Sequence, residues 1–143
     1  KWLILGDGED KEKLENKIKE YNLEDRLILK GKVSNVEDYY KNSALYVMTS
    51  RFEGLPMTLL EAKNFKLPIV SFNCQTGPAE IIRNNINGYL VKANDIKEMS
   101  NKVNNVLQDD KKLKEFKSKA NLDIEKFNLN SIIDKWTSLL VSI

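Results

Sequence analysis

Two acids, Glu53 and Glu61, are separated by the seven residues Gly54-Leu55-Pro56-Met57-Thr58-Leu59-Leu60. That segment follows an apolar run, and Pro56 suits the first turn of a helix. The first amides of a helix have no intrahelical acceptor, and the helix dipole favours an anion beside them. A phosphate could therefore rest on the Met57, Thr58 and Leu59 amides. Carboxylates would not hold the phosphate, but they are good acceptors for paired sugar hydroxyls. Glu61, in the second turn, can point back toward the same crevice as Glu53. The chemistry indicated is recognition of an anion joined to a polyol. The plainer alternative is that both are ordinary helix-start acids favoured by the dipole.

A second candidate is Gly6-Asp7-Gly8, at the end of the apolar run Trp2-Leu3-Ile4-Leu5. The dinucleotide fingerprint needs a third glycine where Lys11 stands, so that reading fails. What is left is a tight strand-to-helix turn or a ligand-facing glycine loop. Other chemistries are excluded by what this sequence lacks. With no histidine, the chain cannot build a Ser-His-Asp or Cys-His nucleophile or a His-ligated metal site by itself. A single cysteine, Cys74, excludes an internal disulfide and a Cys-based zinc site, and fits a reducing compartment.

The acids and glycines must be positioned by an alternation of strands and helices. Strands are expected at Trp2–Leu5, Leu27–Leu29, Leu45–Met48, Pro68–Phe72 and Gly88–Val91. Between them come a helix from Asp10 to Tyr21 with Leu14, Ile18 and Tyr21 on one stripe, helical turns at Val36–Lys41, the helix after Pro56, and a short helix at Pro78–Arg83. Three helices follow an N-cap at Asp95, and the third carries Ile132, Ile133, Trp136, Leu139 and Leu140. This pattern predicts an α/β domain with a mainly parallel sheet, and an all-helical end packed on the sheet or on a neighbouring domain. In such sheets ligands bind beyond the carboxyl ends of the strands. At 143 residues, with 41% hydrophobic and 31% charged residues, one soluble globular domain is expected. A net charge of +2 leaves no basic excess for nucleic acid. No apolar run approaches the ~20 residues that span a bilayer. The chain enters an apolar run at once, which reads as a piece of a longer protein.

The stretch from Ser50 to Val91 resembles the signature of retaining glycosyltransferases of the GT-B fold, the large group 1 or family 4 type. Its parts are Ser-Arg-Phe-Glu-Gly-Leu-Pro-Met-Thr-Leu-Leu-Glu-Ala, Leu-Pro-Ile-Val-Ser, Thr-Gly-Pro-Ala-Glu-Ile-Ile and Asn-Gly-Tyr-Leu-Val; Leu-Gly-Asp-Gly at the first strand end and Leu-Lys-Gly-Lys-Val at the second are similar to the strand ends that precede it. The resemblance implies that this is the C-terminal, donor-binding half of that fold, a Rossmann-like parallel sheet with helices on both faces that lacks its first strand. It implies that Glu61 holds the nucleotide ribose diol and that Glu53 contacts hydroxyls of the donor sugar. Gly54, Leu55, Met57, Thr58 and Leu59 would supply the loop and helix-start amides that meet the sugar and diphosphate. Lys32, Val33 and Ser34 would border the base, and Gly6 and Gly8 would form a glycine turn near the phosphates. Thr76, Gly77, Pro78 and Glu80 would lie near the site, as ligand contacts or as a structural turn.

The family's diphosphate-clamping Arg and Lys, and its acceptor-binding N-terminal domain, match nothing in this chain. Arg51 and Lys32 could be offered in place of the clamp, but read more simply as surface residues. The resemblance implies transfer of a sugar from a nucleotide diphosphate, a UDP-sugar favoured, to an acceptor sugar or lipid-linked glycan in surface polysaccharide or glycolipid synthesis. The anomeric configuration would be kept, without a metal or other cofactor, and the chain alone would be inactive. The rivals are a nucleotide-sugar epimerase of the same fold and a non-catalytic binding module. The place implied is the cytoplasm, at the inner membrane face, with peripheral membrane association of the full protein. Loss of the first strand would leave a gap between Leu3–Leu5 and Leu45–Met48. Direct pairing of those two strands, exchange between chains in an oligomer, or a segment outside the sequence would then close it.

Overall fold

The computed structural model describes residues 1–142, which form two compact units, Lys1–Tyr39 and one that begins at Tyr40. In the first, β1 (Trp2–Leu5) and β2 (Leu27–Gly31) run parallel and are joined by α1 (Lys11–Glu20). Parallel neighbours need such a crossover. The register pairs Trp2 with Leu27 and Ile4 with Leu29, and is irregular between Ile4 and Leu5. Helix α1 ends one residue before Tyr21, whose N–H donates to Lys17 O at 3.0 Å. Tyr21 is thus a capping residue, and it is exposed, as is Leu14 of the expected stripe. No residue of this unit is fully buried. Helix α2 (Val36–Lys41) runs across the boundary between the units.

The second unit holds β3 (Tyr46–Met48), α3 (Met57–Asn64), β4 (Ile69–Asn73), α4 (Pro78–Ile81) and β5 (Gly88–Lys92). After them come α5 (Ile96–Gln108), α6 (Asp110–Lys119), a 3₁₀ turn over Ile124–Phe127, and α7 (Leu129–Val141). The strands form a parallel sheet in the order β3-β4-β5, with Val47 opposite Val70 and Val70 opposite Tyr89. Central β4 is buried from Ile69 to Phe72, as a parallel strand covered on both faces must be. Its side chains alternate between two cores. Ile69 joins Tyr40, Met48, Leu59, Ala62, Leu67, Ile81 and Ile82. Val70 and Phe72 join Tyr89, Val91, Met99, Val103, Val106 and Phe116 on the other face.

Helix starts follow the side chains available. Asp95 accepts from the Glu98 amide at 2.9 Å, and Asp109 from the Lys111 and Lys112 amides at 2.9 and 3.0 Å. Lys63, buried in α3, donates to Ile81 O at 2.8 Å and to Leu122 O at 2.7 Å, tying α3 to the end of α4 and to the segment after α6.

Of the three expected ways of closing the gap, direct pairing of β1 with β3 is absent among the described residues: β1 pairs with β2, and β3 with β4. Each strand finds its partner through its own local helical crossover, and no such crossover joins β1 to β3. Of the all-helical end, expected on the sheet or on a neighbouring domain, two helices pack on the sheet. Helices α5 and α6 supply Met99, Val103, Val106 and Phe116 to the core, whereas α7 buries no residue and leaves Trp136 61% exposed.

Candidate functional site

The first unit contributes a hollow of about 250 Å³ beyond the end of β1, lined by Gly6, Asp7, Gly8, Lys11, Leu14 and Gly31 among others. Gly6 takes φ 125°, a conformation that costs a side-chain-bearing residue heavily and turns the chain sharply out of β1. Its amide donates to Gly31 O at 2.8 Å, which joins the two strand ends. Lys32, Val33 and Ser34 follow directly on β2. The glycine turn and the second strand's loop therefore stand at the carboxyl ends of one parallel pair, where ligands of such sheets bind.

In the second unit the loop after β3 carries Ser50 to Pro56, and α3 begins one residue after Pro56. Pro56 is itself the cap residue and is buried, and no side chain caps this helix start. The Leu59 amide donates to Pro56 O at 3.0 Å, and the Leu59 side chain is wholly buried in the core. The first helical turn already uses the Leu59 amide, so the amides without an intrahelical acceptor are those of Met57 and Thr58. Gly54 is exposed, as are Leu55 and Met57, while Glu53 is half-buried. Arg51 and Lys32 are exposed.

Glu61 lies one turn beyond the helix start. Its Oε2 accepts a hydrogen bond from the Tyr40 hydroxyl at 2.8 Å. The Tyr40 ring is buried, stacked on Phe65 with centroids 5.4 Å apart and tilted against Tyr46 at 5.9 Å. Burial first, and the bond to Glu61 next, push the Tyr40 phenol well above its ordinary range. Burial likewise raises the Tyr46 phenol, opposed by a hydrogen bond with the Thr58 side chain; the charges of Glu61 and Glu53 both act on it. One small region therefore gathers two protonated phenols, the Thr58 hydroxyl and two acids at a helix start.

The loop after β4 braces the loop after β3. The Thr76 hydroxyl donates to Glu53 O. Gly77, at φ 93°, lies so close that a Cβ there would sit 2.4 Å from Pro56 Cδ and 2.8 Å from Gly54 O. The Thr76-Gly77-Pro78 segment, expected near the site as ligand contacts or as a structural turn, therefore packs directly on the Glu53 loop. Glu80 is exposed in the first turn of α4. Sequence reasoning missed Tyr40, Tyr46 and Thr76 as partners of the acids. A tyrosine pair ahead of a strand was the one signal, and nothing local ties Tyr40 to a carboxylate 21 positions later.

A profile of the glycosyl transferases group 1 family matches residues 1–123. The chain is 39% identical over 140 residues to the amylovoran biosynthesis glycosyltransferase AmsD of Erwinia amylovora, covering 98% of this chain and 39% of that protein. It is 36% identical over 143 residues to the poly(ribitol-phosphate) alpha-N-acetylglucosaminyltransferase of Staphylococcus aureus, covering 99% of this chain and 29% of that one. Among solved structures, TarM superposes with a TM-score of 0.91 at 36% identity, over 97% of this chain and 28% of its own. The lipopolysaccharide outer core galactosyltransferase WaaB, in its apo form, gives 0.86 at 31% identity, over 98% and 40%. This chain thus spans well under half the length of these relatives. An α/β unit built on parallel strands, the solved structures it superposes on and the family profile over most of its length agree: the chain belongs to the group 1 glycosyl transferases and carries the C-terminal half of their GT-B fold.

Proposed function

We propose that this chain is the donor-binding half of a retaining glycosyltransferase that takes a UDP-sugar and builds a surface polysaccharide or glycolipid. The observation that carries this reading is the placement of Glu53 and Glu61 on either side of the α3 start, at the carboxyl end of β3. The Met57 and Thr58 amides can face the diphosphate there, while the two acids accept hydroxyls. A mutant of Staphylococcus aureus TarM, 36% identical to this chain, has been crystallised with fondaparinux, alpha-GlcNAc-glycerol and UDP, which supports the choice of UDP. Relatives named for amylovoran, poly(ribitol-phosphate) and lipopolysaccharide support a surface glycan as the product. Among the described residues no helix is long and apolar enough to cross a membrane. A protein working at the cytoplasmic membrane face on a lipid-linked acceptor is part of the proposal.

In the reaction, the bond from the anomeric carbon to the diphosphate oxygen breaks as the acceptor oxygen bonds to that carbon on the same face. Negative charge grows on the leaving diphosphate, and fixed amide dipoles stabilise it as it grows. Glu61 holds the ribose and so acts on nucleotide and nucleotide-sugar alike. Glu53 meets the sugar, and its contact strengthens as the ring gains positive charge. The acceptor's proton passes to the leaving phosphate, so no general base is assigned to this chain. The test is a pair of variants in the full-length protein. Hydrogen bonds to a charged group contribute about 1.5–3 kcal/mol, so Glu61→Gln should weaken free UDP roughly tenfold or more. Glu53→Gln should leave free UDP nearly unchanged and lower the transfer rate. Equal damage to free UDP from both variants would overturn the division of roles.

A further inference from the structure

We propose that Tyr40 is a positioning residue for Glu61: it holds the carboxylate in the orientation from which it accepts the vicinal hydroxyls of the ribose. The inference rests on the reading of Glu61 as the diol acceptor and adds the residue that makes it effective. Glu61 is exposed at the surface of α3, and a free glutamate there would sample several rotamers. The Tyr40 hydroxyl fixes Oε2 at 2.8 Å. Tyr40 itself cannot swing away, because its ring is buried between Phe65 and Tyr46 inside the core that also holds Leu59 and Ala62. Rotating it would break that packing. The orientation of the carboxylate is therefore set by the core and not by the ligand.

The phenol is suited to the task because it stays protonated. Burial and the bond to Glu61 both raise it, so at neutral pH it donates to the carboxylate. A second acceptor beside Glu61 would repel the carboxylate and compete for the ligand's hydroxyl protons. A donor does neither. Tyr46, tilted against Tyr40 and bonded with Thr58, closes the other side of the same cluster.

Preorganisation of this kind saves the ordering of one rotamer-rich side chain on binding, which corresponds to roughly two- to tenfold in affinity. The experiment uses the full-length protein and measures dissociation constants for UDP and for 2′,3′-dideoxy-UDP, with GDP and ADP and their dideoxy forms alongside. The proteins are wild type, Tyr40→Phe, Glu61→Gln and the double variant. Tyr40→Phe keeps the ring that fills the core. It should weaken the ribonucleotide by roughly two- to tenfold, spare the dideoxy form, and add little once Glu61 is already changed. If Tyr40→Phe harms both nucleotides equally, or neither, Tyr40 is only a core residue and the inference fails while the ribose reading stands. If Glu61→Gln itself fails to distinguish the ribo from the dideoxy form, or no nucleotide binds the wild type, the ribose reading is wrong and the inference falls with it.

Discussion

Lys63 is a buried cation whose ammonium rests on two main-chain carbonyls, Ile81 O and Leu122 O. Desolvation lowers its pKa below 10.5, against the attraction of Asp123. Below the depressed value both folded and unfolded chains hold the proton, and burying the charge costs its full amount. As pH rises from there toward 10.5, the folded chain gives up its proton first, the unfolded chain binds more protons, and stability rises. Lys63→Met should remove that rise from the urea-unfolding stability measured across this window. It should also cost about 1–3 kcal/mol at neutral pH, because two carbonyls that lose their donor are not repaid by an apolar side chain. An unchanged unfolding midpoint at pH 7 would mean that water reaches both carbonyls. Nothing in the sequence marks this lysine, since Lys in a helix ordinarily faces water.

At the scale of elements, the site depends on two loops that meet. The loop after β3 holds Glu53, and the loop after β4 supports it through the Thr76 hydroxyl and through the close approach of Gly77 to Gly54 and Pro56. Gly77→Ala would impose a disfavoured φ of 93° on a residue with a Cβ and drive that carbon into Pro56 Cδ. A loss of about 1–3 kcal/mol is expected from the backbone conformation alone, measured by chemical denaturation. The clash adds to it unless the loop moves, and a moved loop displaces Glu53. The variant should therefore weaken binding of the nucleotide-sugar relative to free nucleotide, read by calorimetry on the full-length protein. If that ratio holds at its wild-type value, the two loops are not mechanically linked.

Over the whole molecule, the two units differ in how much they bury. Lys1–Tyr39 has a two-stranded sheet and one crossover helix, and none of its residues is fully buried. The unit beginning at Tyr40 has two buried apolar clusters on opposite faces of a three-stranded sheet. Local opening free energies track buried apolar contact. Native-state hydrogen exchange should then show the amides of β4 and β5 protected to near the global limit. Those of β1 and β2 should exchange through lower-energy openings. Equal protection of the β1 and β4 amides would contradict this ordering.

The positions of the helices and strands were readable because their signals are local. The apolar run of β4 between Pro68 and Asn73, the Asp95 cap and the Leu14–Ile18 spacing each act within one or two turns of chain. The acids Glu53 and Glu61 were legible for the same reason, since both belong to one strand–loop–helix segment. Tertiary structure decided what joins distant parts of the chain. It put the Tyr40 phenol on Glu61 and bonded the Thr76 hydroxyl to the Glu53 loop, and it buried the Leu59 side chain in the core. It also divided the strands into two sheets and left the apolar face of α7 uncovered by the fold it follows. Such pairings become visible only in the folded chain, because no local periodicity encodes a partner some twenty residues away, and its identity depends on which surfaces the core has already filled.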